Sequence, residues 1–196
     1  MIQNGLKNAT KKIAVLFPGI GYTCDKPLLY YSGKIAAGHG YQVVTVPYGN
    51  FSGGIKGNPE KMKEAFFSAL NQAEEILKDI QWEMYSEILF ISKSVGTVVA
   101  AAYRNKHRLP AWSISFTPLE ETFRFAEGEG IMFHGTADSW AKNSERIREL
   151  CKKIHQPLYL VEQGDHSLET GDICKDIETL KWIMEKVENA ISTKEN

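Results

Sequence analysis

The strongest constraint on this chain is a rhythm: a short apolar run, a turn, then a longer amphipathic segment, repeated along nearly its whole length. The apolar runs fall at Lys12–Phe17, Gln42–Pro47, Glu87–Ser92, Ala111–Phe116, Gly130–His134 and Leu158–Val161. They are rich in β-branched and aromatic residues and apolar on both parities. That pattern marks strands covered on both faces, not strands with one wet side. Between them the period lengthens. Asn58-Pro59-Glu60 reads as an N-cap with proline at the first helical position. Behind it Met62, Ala65, Phe66, Ala69, Leu70, Ala73, Ile76 and Leu77 recur at helical spacing. Tyr31–Gly38, Asn143–Lys152 and Asp172–Ala190 behave alike; in the last, Ile173, Ile177, Leu180, Ile183, Met184 and Val187 form the expected buried side. Alternation of this kind predicts an α/β fold, a three-layer α/β/α sandwich with about six mostly parallel strands.

Length and composition set the outer limits. A chain of 196 residues with 43% apolar content suits one domain, taken as 1–196 with a core of about 12–188 and a polar arm over 1–11. A net charge of -1 gives no general attraction to nucleic acid or to an anionic membrane. No stretch approaches the roughly 20 apolar residues of a membrane-spanning helix. No export segment is visible at the N-terminus, so the expected location is cytoplasmic. Cys24, Cys151 and Cys174 are widely spaced, which is neither a disulfide framework nor a zinc signature.

Parallel sheets place ligands beyond the carboxyl ends of their strands, so the polar residues that follow each run carry the chemistry. The run EILFIS ends on SKSVG and passes at once into a helical pattern. In so tight a turn Ser94 occupies the apex, with backbone N–H groups of the helix start behind it and Gly96 letting helix and strand approach. By strand parity Lys93 points away from any pocket that Ser94 faces. A serine hydroxyl needs a base, and the base needs an orienting acid. Asp138 follows the run IMF in a loop opened by Gly135, and His166 follows the last run in VEQGDHSLE. Residue types, chain order and strand-end placement agree. A helix-capping serine would explain Ser94 alone but not the other two loops. Glu120 and Glu121 are rival acids, and Asp165 reads as a loop-shaping residue. The oxyanion donors expected are the amides of Val95 and Ile20, with Gly21 and Tyr22 as alternatives to the latter.

The stretches LFPGIGYTCDKPLLYY, ISKSVGTVVAA, MFHGTADSW and GDHSLE resemble the α/β-hydrolase superfamily, in its small lidless branch near the dienelactone-hydrolase-like proteins. The resemblance runs from about Lys12 to Val187. It implies Ser94 as nucleophile, Asp138 as triad acid, His166 as triad base, and Ile20 and Val95 at the oxyanion hole. Ser92 stands where the elbow motif has its first glycine. Serine at position 94 departs from dienelactone hydrolases proper, which use cysteine. The two antiparallel strands that commonly open the fold are absent.

The reading that follows is a serine hydrolase for a small ester, thioester or related acyl substrate, needing no cofactor, with a monomer or a homodimer equally compatible. The pocket is expected to include Gly21, Tyr22, Tyr48 and Phe51. With so short and charged a stretch as TPLEETFRFAEGE where a lid would sit, acyl groups of about C2–C4 are expected, because longer chains need an apolar channel to leave water. The alternatives are a non-catalytic binding or scaffold protein of the same fold, and a metal-assisted hydrolase built on His134, Asp138 and His166. The metal reading leaves the Ser94 turn unexplained. The glycines of PYGNFSGGIKGNP lack the order of a phosphate-binding loop and read as a pocket rim.

Overall fold

The computed structural model describes residues 11–51, 53–55, 57–141 and 143–194, so all but the last residue of the N-terminal arm lies outside the described residues. Six strands, β1 (Lys12–Phe17), β2 (Tyr41–Thr45), β3 (Glu87–Lys93), β4 (Trp112–Phe116), β5 (Gly130–Gly135) and β6 (Leu158–Val161), form one sheet. Their order is β2-β1-β3-β4-β5-β6 and every pairing is parallel. The helices are α1 (Pro27–Gly38), α2 (Pro59–Leu77), α3 (Val95–His107), α4 (Ser144–Lys153) and α5 (Ile173–Lys194). This is the expected sandwich. No described helix is long and apolar enough to cross a membrane.

Strand parity divides the core. Ala14 and Leu16 of β1 join Leu89, Ile91, Ile114 and Phe116 under α1 and α5, whose Leu29, Ala36, Ile183 and Val187 complete that layer. Ile13, Val15 and Phe17 face the other way, with Ile88 and Phe90, against Ala69, Ala73 and Leu77 of α2 and Val99 and Tyr103 of α3. A smaller cluster under α4 holds Val98, Leu119, Met132, Ile147 and Cys151.

Local signals account for most boundaries. Asn58 accepts a hydrogen bond from the Lys61 amide at 3.1 Å, as an N-cap should, with Pro59 behind it. Asp172 serves α5 in the same way through the amides of Cys174 and Lys175. The sequence places the start of α1 four residues late, because Pro27 at the first turn opens the helix. The apolar stripe assigned to α5 also needs correction. Ile183 and Val187 are buried, but Ile173 and Ile177 are 76% and 63% exposed. The first turns of α5 border an open groove with Leu28, Leu168 and Leu180, and no described residue covers these two isoleucines there.

The chain passes from β1 outward to β2, then returns across β1 to β3. The order reverses between β1 and β3, and the turns leaving those two strands therefore border the crevice in which parallel sheets bind ligands. Gly96 makes this crevice tight. A Cβ there would lie 2.2 Å from the Phe17 carbonyl oxygen and 2.4 Å from that of Pro18, so the start of α3 rests directly on the β1 turn. Gly96→Ala must push these backbones apart. It is expected to cost about 1–3 kcal/mol, the range of an overpacked core site, read as a lower urea midpoint at unchanged m-value.

Candidate active site

Ser94 leaves the sheet in an unusual conformation, with φ 54° and ψ -124°. A non-glycine residue there stores of order 1–3 kcal/mol of strain, released only if its neighbours give way. They are fixed: the Ser94 amide donates to the Phe116 carbonyl at 3.0 Å, and the Ser94 carbonyl accepts from the Thr97 amide at 2.8 Å and the Thr97 hydroxyl at 2.6 Å. Thr97 Oγ1 is in turn 2.6 Å from Thr122 Oγ1, joining α3 to the short 3-10 helix over Glu120–Arg124. Ser92 is buried against β4, its hydroxyl 3.3 Å from that of Ser115. A small side chain satisfied across the ladder therefore stands where the elbow motif has glycine.

His166 arrives from the loop between β6 and α5. Its Nε2 lies 2.7 Å from Ser94 Oγ, and its Nδ1 lies 2.7 Å from Asp138 Oδ2. Asp138 Oδ1 accepts the Trp140 amide at 2.7 Å and the Ala141 amide at 3.2 Å, so the carboxylate is aimed by its own loop. The two loops meet because Gly135 has no side chain: a Cβ there would lie 2.2 Å from the Gly164 carbonyl oxygen. The Trp140 ring stacks on the imidazole at 5.4 Å and 23°. Asp165 lies at the edge of the same cavity but makes no bond to His166 or Ser94; it accepts the Ser167 and Glu169 amides at 2.6 and 3.1 Å, shaping the loop. Glu120 and Glu121 are exposed on the 3-10 helix, and Glu120 lies 3.7 Å from Arg146 of α4. The structure brings Asp138, not either glutamate, to the histidine.

Electrostatics follow from burial and these bonds. Burial works against the Asp138 anion, but hydrogen bonds from His166, Trp140 and Ala141 outweigh it and hold the carboxyl below its ordinary range. Burial lowers the His166 pKa; Asp138 opposes this and the nearby Lys93 charge adds to it, leaving the imidazole below its ordinary 6.5. Near neutral pH the ring is thus an uncharged base facing the serine.

The turn after β1 closes the other side. Gly19 and Tyr22 exchange backbone hydrogen bonds at 3.0 and 3.2 Å, and Gly21 has φ 74°, the conformation a type II turn requires at its third residue. Ile20 and Gly21 are its tip. They line a cavity of about 260 Å³ with Tyr22, Met62, Ser94, Val95, Trp140 and His166. Val95 opens α3, so its amide belongs to the donors left free of helical partners at a helix start.

Several expectations change here. Tyr48 and Phe51 do not line this cavity. Tyr48 is buried behind the turn, donates to the Pro18 carbonyl and packs edge-on against Phe51. Gln72 of α2 holds the rim from below through the Gly49 amide and carbonyl, each at 3.0 Å. Lys93, expected to point away, lines the cavity, because the positive φ at Ser94 breaks strand parity at that residue. His134 Nδ1 stands 3.9 Å from Asp138 Oδ2, beyond hydrogen-bond reach, and both nitrogens of His166 are engaged. Among the described residues no group of three His, Cys, Asp or Glu side chains is arranged to hold a metal. Met62 and Trp140 were not singled out in the sequence: Met62 belongs to an ordinary helix stripe, and Trp140 lies two residues beyond a conspicuous aspartate.

No protein-family model matches the chain, and no curated protein matches it in sequence. Solved structures do. A Xanthomonas campestris protein assigned to the alpha/beta hydrolase superfamily superposes with a TM-score of 0.62 at 11% identity, covering 91% of this chain and 99% of the other. Est1E from Butyrivibrio proteoclasticus, solved with ferulic acid bound, gives 0.63 at 9% identity over 92% and 88%. Esterase 2 from Thermogutta terrifontis, solved phosphoramylated by tabun, gives 0.53 at 20% identity over 94% and 85%. Six parallel strands in this order, a strained serine between β3 and α3, and superposition over nine-tenths of the chain lead to one conclusion: the chain has the α/β-hydrolase fold.

Proposed function

We propose that the protein is a serine hydrolase that cleaves a small ester, thioester or related acyl substrate through an acyl-enzyme. The observation that carries this reading is the unbroken line Asp138–His166–Ser94, with both hydrogen bonds at 2.7 Å. His166 takes the proton of Ser94 as Oγ attacks the carbonyl, while Asp138 fixes the tautomer and stabilises the imidazolium. The Val95 amide and one amide of the Ile20–Gly21 tip hold the oxyanion. His166 then protonates the leaving group and later activates the water that releases the acid. The esterases among the structural relatives support the reaction class. A binding or scaffold protein has no use for a strained serine aligned with a neutral base.

The leaving-group oxygen must meet His166 Nε2, so the acyl portion extends to the opposite side of Ser94. There an apolar groove of about 370 Å³ begins at Met62 and Val95, which it shares with the catalytic cavity. It continues along Phe66 and Phe67 of α2 to Leu119 and Phe125. This wall replaces the one expected from Tyr48 and Phe51 and is longer. The range of acyl groups therefore extends past the C2–C4 limit drawn from the missing lid.

Ser94→Ala is expected to abolish labelling by a fluorophosphonate probe and to lower kcat by about 10⁴–10⁶ with the fold preserved. Asp138→Ala should cost about 10⁴, whereas Glu120→Ala and Glu121→Ala leave kcat within a factor of about three. Turnover of p-nitrophenyl acetate that survives in S94A would sink the serine-hydrolase reading.

Because the neutral imidazole is the working base, kcat/KM is expected to fall as pH drops through the His166 pKa. Burial puts that midpoint below 6.5, so the neutral base predominates at pH 7. A midpoint above 7, measured with p-nitrophenyl acetate, contradicts this environment for the histidine.

Across a series of p-nitrophenyl esters, kcat/KM is expected to rise beyond C4, by up to about 0.8 kcal/mol for each methylene that the groove buries. Phe66→Ala should flatten the rise and leave acetate turnover unchanged. A series that peaks at acetate in both proteins shows that the groove is unused.

A further inference from the structure

Lys93 is the residue before the candidate nucleophile, and it is 1% exposed. Burying a lysine disfavours its charge, and acceptors for its three N–H bonds reduce that cost. Here its Nζ donates to the Thr117 hydroxyl at 2.6 Å and to the backbone carbonyl of His166 at 2.5 Å. It also stands 5.0 Å from the centre of the Tyr22 ring, within reach of a cation–π contact. Three directions are thus occupied by groups that receive positive charge. They come from three different loops: the turn after β1, the turn after β4 and the loop bearing the candidate base.

We propose that Lys93 is a positioning residue: its Nζ ties the His166 backbone to the end of β4, and its ammonium form biases the imidazole towards its neutral, proton-accepting form. This rests on the serine-hydrolase reading of the site. The geometry is direct on the first point. Its hydrogen bond is to the carbonyl of the histidine itself, so the lysine anchors the ring at its Cα, while Asp138 anchors it at Nδ1. Two restraints at opposite ends of one residue define where Nε2 points. Thr117, the other acceptor, is itself held at φ 44° with its amide on the Phe133 carbonyl at 2.7 Å, so the anchor is attached to rigid backbone.

The charges around Lys93 work in the same sense. Burial lowers its pKa to about 7 while Asp138, Asp165 and Glu169 favour its ammonium, so the charge is present below about pH 7, where His166 titrates. The lysine in turn opposes a positive charge on His166 and on the deeply buried His134. Tyr22 adds no charge, since burial lifts its phenol to about 12. Without the lysine charge, burial alone is left to oppose Asp138 and Asp165, which favour the imidazolium, so the His166 pKa rises.

The test is Lys93→Met, which keeps the stem and removes the charge and its donors. With p-nitrophenyl acetate, kcat and the rate of fluorophosphonate labelling at Ser94 are expected to fall by about 10–100-fold, the size of effect a small misplacement of a reacting group produces. KM should change less than about threefold, and the acid-limb midpoint should move to higher pH by about half a unit or more. Thr117→Val removes one acceptor and keeps the lysine; it should shift both quantities in the same direction, and Thr117→Ser should restore them. If K93M does not fold, the two threonine variants decide the matter alone. Folded variants with wild-type rates overturn the proposal, and so does a slower K93M with an unmoved acid limb, which would show packing only. A wild-type protein that takes no label at Ser94 removes the hydrolase reading itself. A label at Ser94 whose rate is the same in K93M removes only the role of the lysine.

Discussion

The site depends on a backbone conformation that serine rarely adopts. Ser94 sits at φ 54° between a buried strand and a buried helix, with Gly96 pressed against the carbonyls of Phe17 and Pro18. Folding tolerates strain of this kind only where packing around it is over-determined. Here the restraint comes from the ladder, through the Ser94 amide on Phe116, and from the helix start, through Thr97. The consequence is geometric. Ser94 is lifted out of the sheet above the point where strand order reverses, and the free amides at the start of α3 come with it.

The other two side chains reach Ser94 by loop contacts of the same economy. Gly135 lets the Asp138 loop touch the Gly164–Asp165 backbone, and Trp140 lies flat on the imidazole that results. Each carboxylate oxygen of Asp138 has its own task, one held by loop amides and one facing His166. Burial of the histidine, with the nearby Lys93 charge, then selects the neutral ring against the pull of Asp138. The chemistry proposed for the site draws on these side chains, the Val95 amide at the helix start and one amide of the Ile20–Gly21 tip.

Behind this arrangement lies a layer of polar contacts without a separate signature in the sequence. Ser92 with Ser115, Thr97 with Thr122, and Lys93 with Thr117 all link β3 and α3 to the β4 end. Each is buried, so each polar group had to find a partner as the core closed. Together they fix β4 and the 3-10 helix after it relative to Ser94. That same 3-10 helix contributes Glu121 and Arg124 to the rim of the apolar groove beyond Val95.

Six strands, their parallel class, and the loops bearing Ser94, Asp138 and His166 were legible from the chain itself. They rest on local periodicity, on turn residues, and on chain order, all carried by neighbours in sequence. Bounds moved by a few residues, as at Pro27, because helix starts depend on single capping positions. What tertiary structure alone decided was direction. Parity sent Lys93 away from the pocket, but the turn at Ser94 interrupts the strand geometry on which parity depends. Tyr48 and Phe51 follow a strand end, as pocket residues do, yet Gln72 of α2 and the Pro18 carbonyl hold that rim so that Tyr48 is buried behind the site. Met62 belongs to a helix stripe and only the packing of α2 beside α3 turns it towards the serine. Ile173 and Ile177 keep perfect helical spacing and still face water, because periodicity specifies a face and the fold specifies what, if anything, covers it.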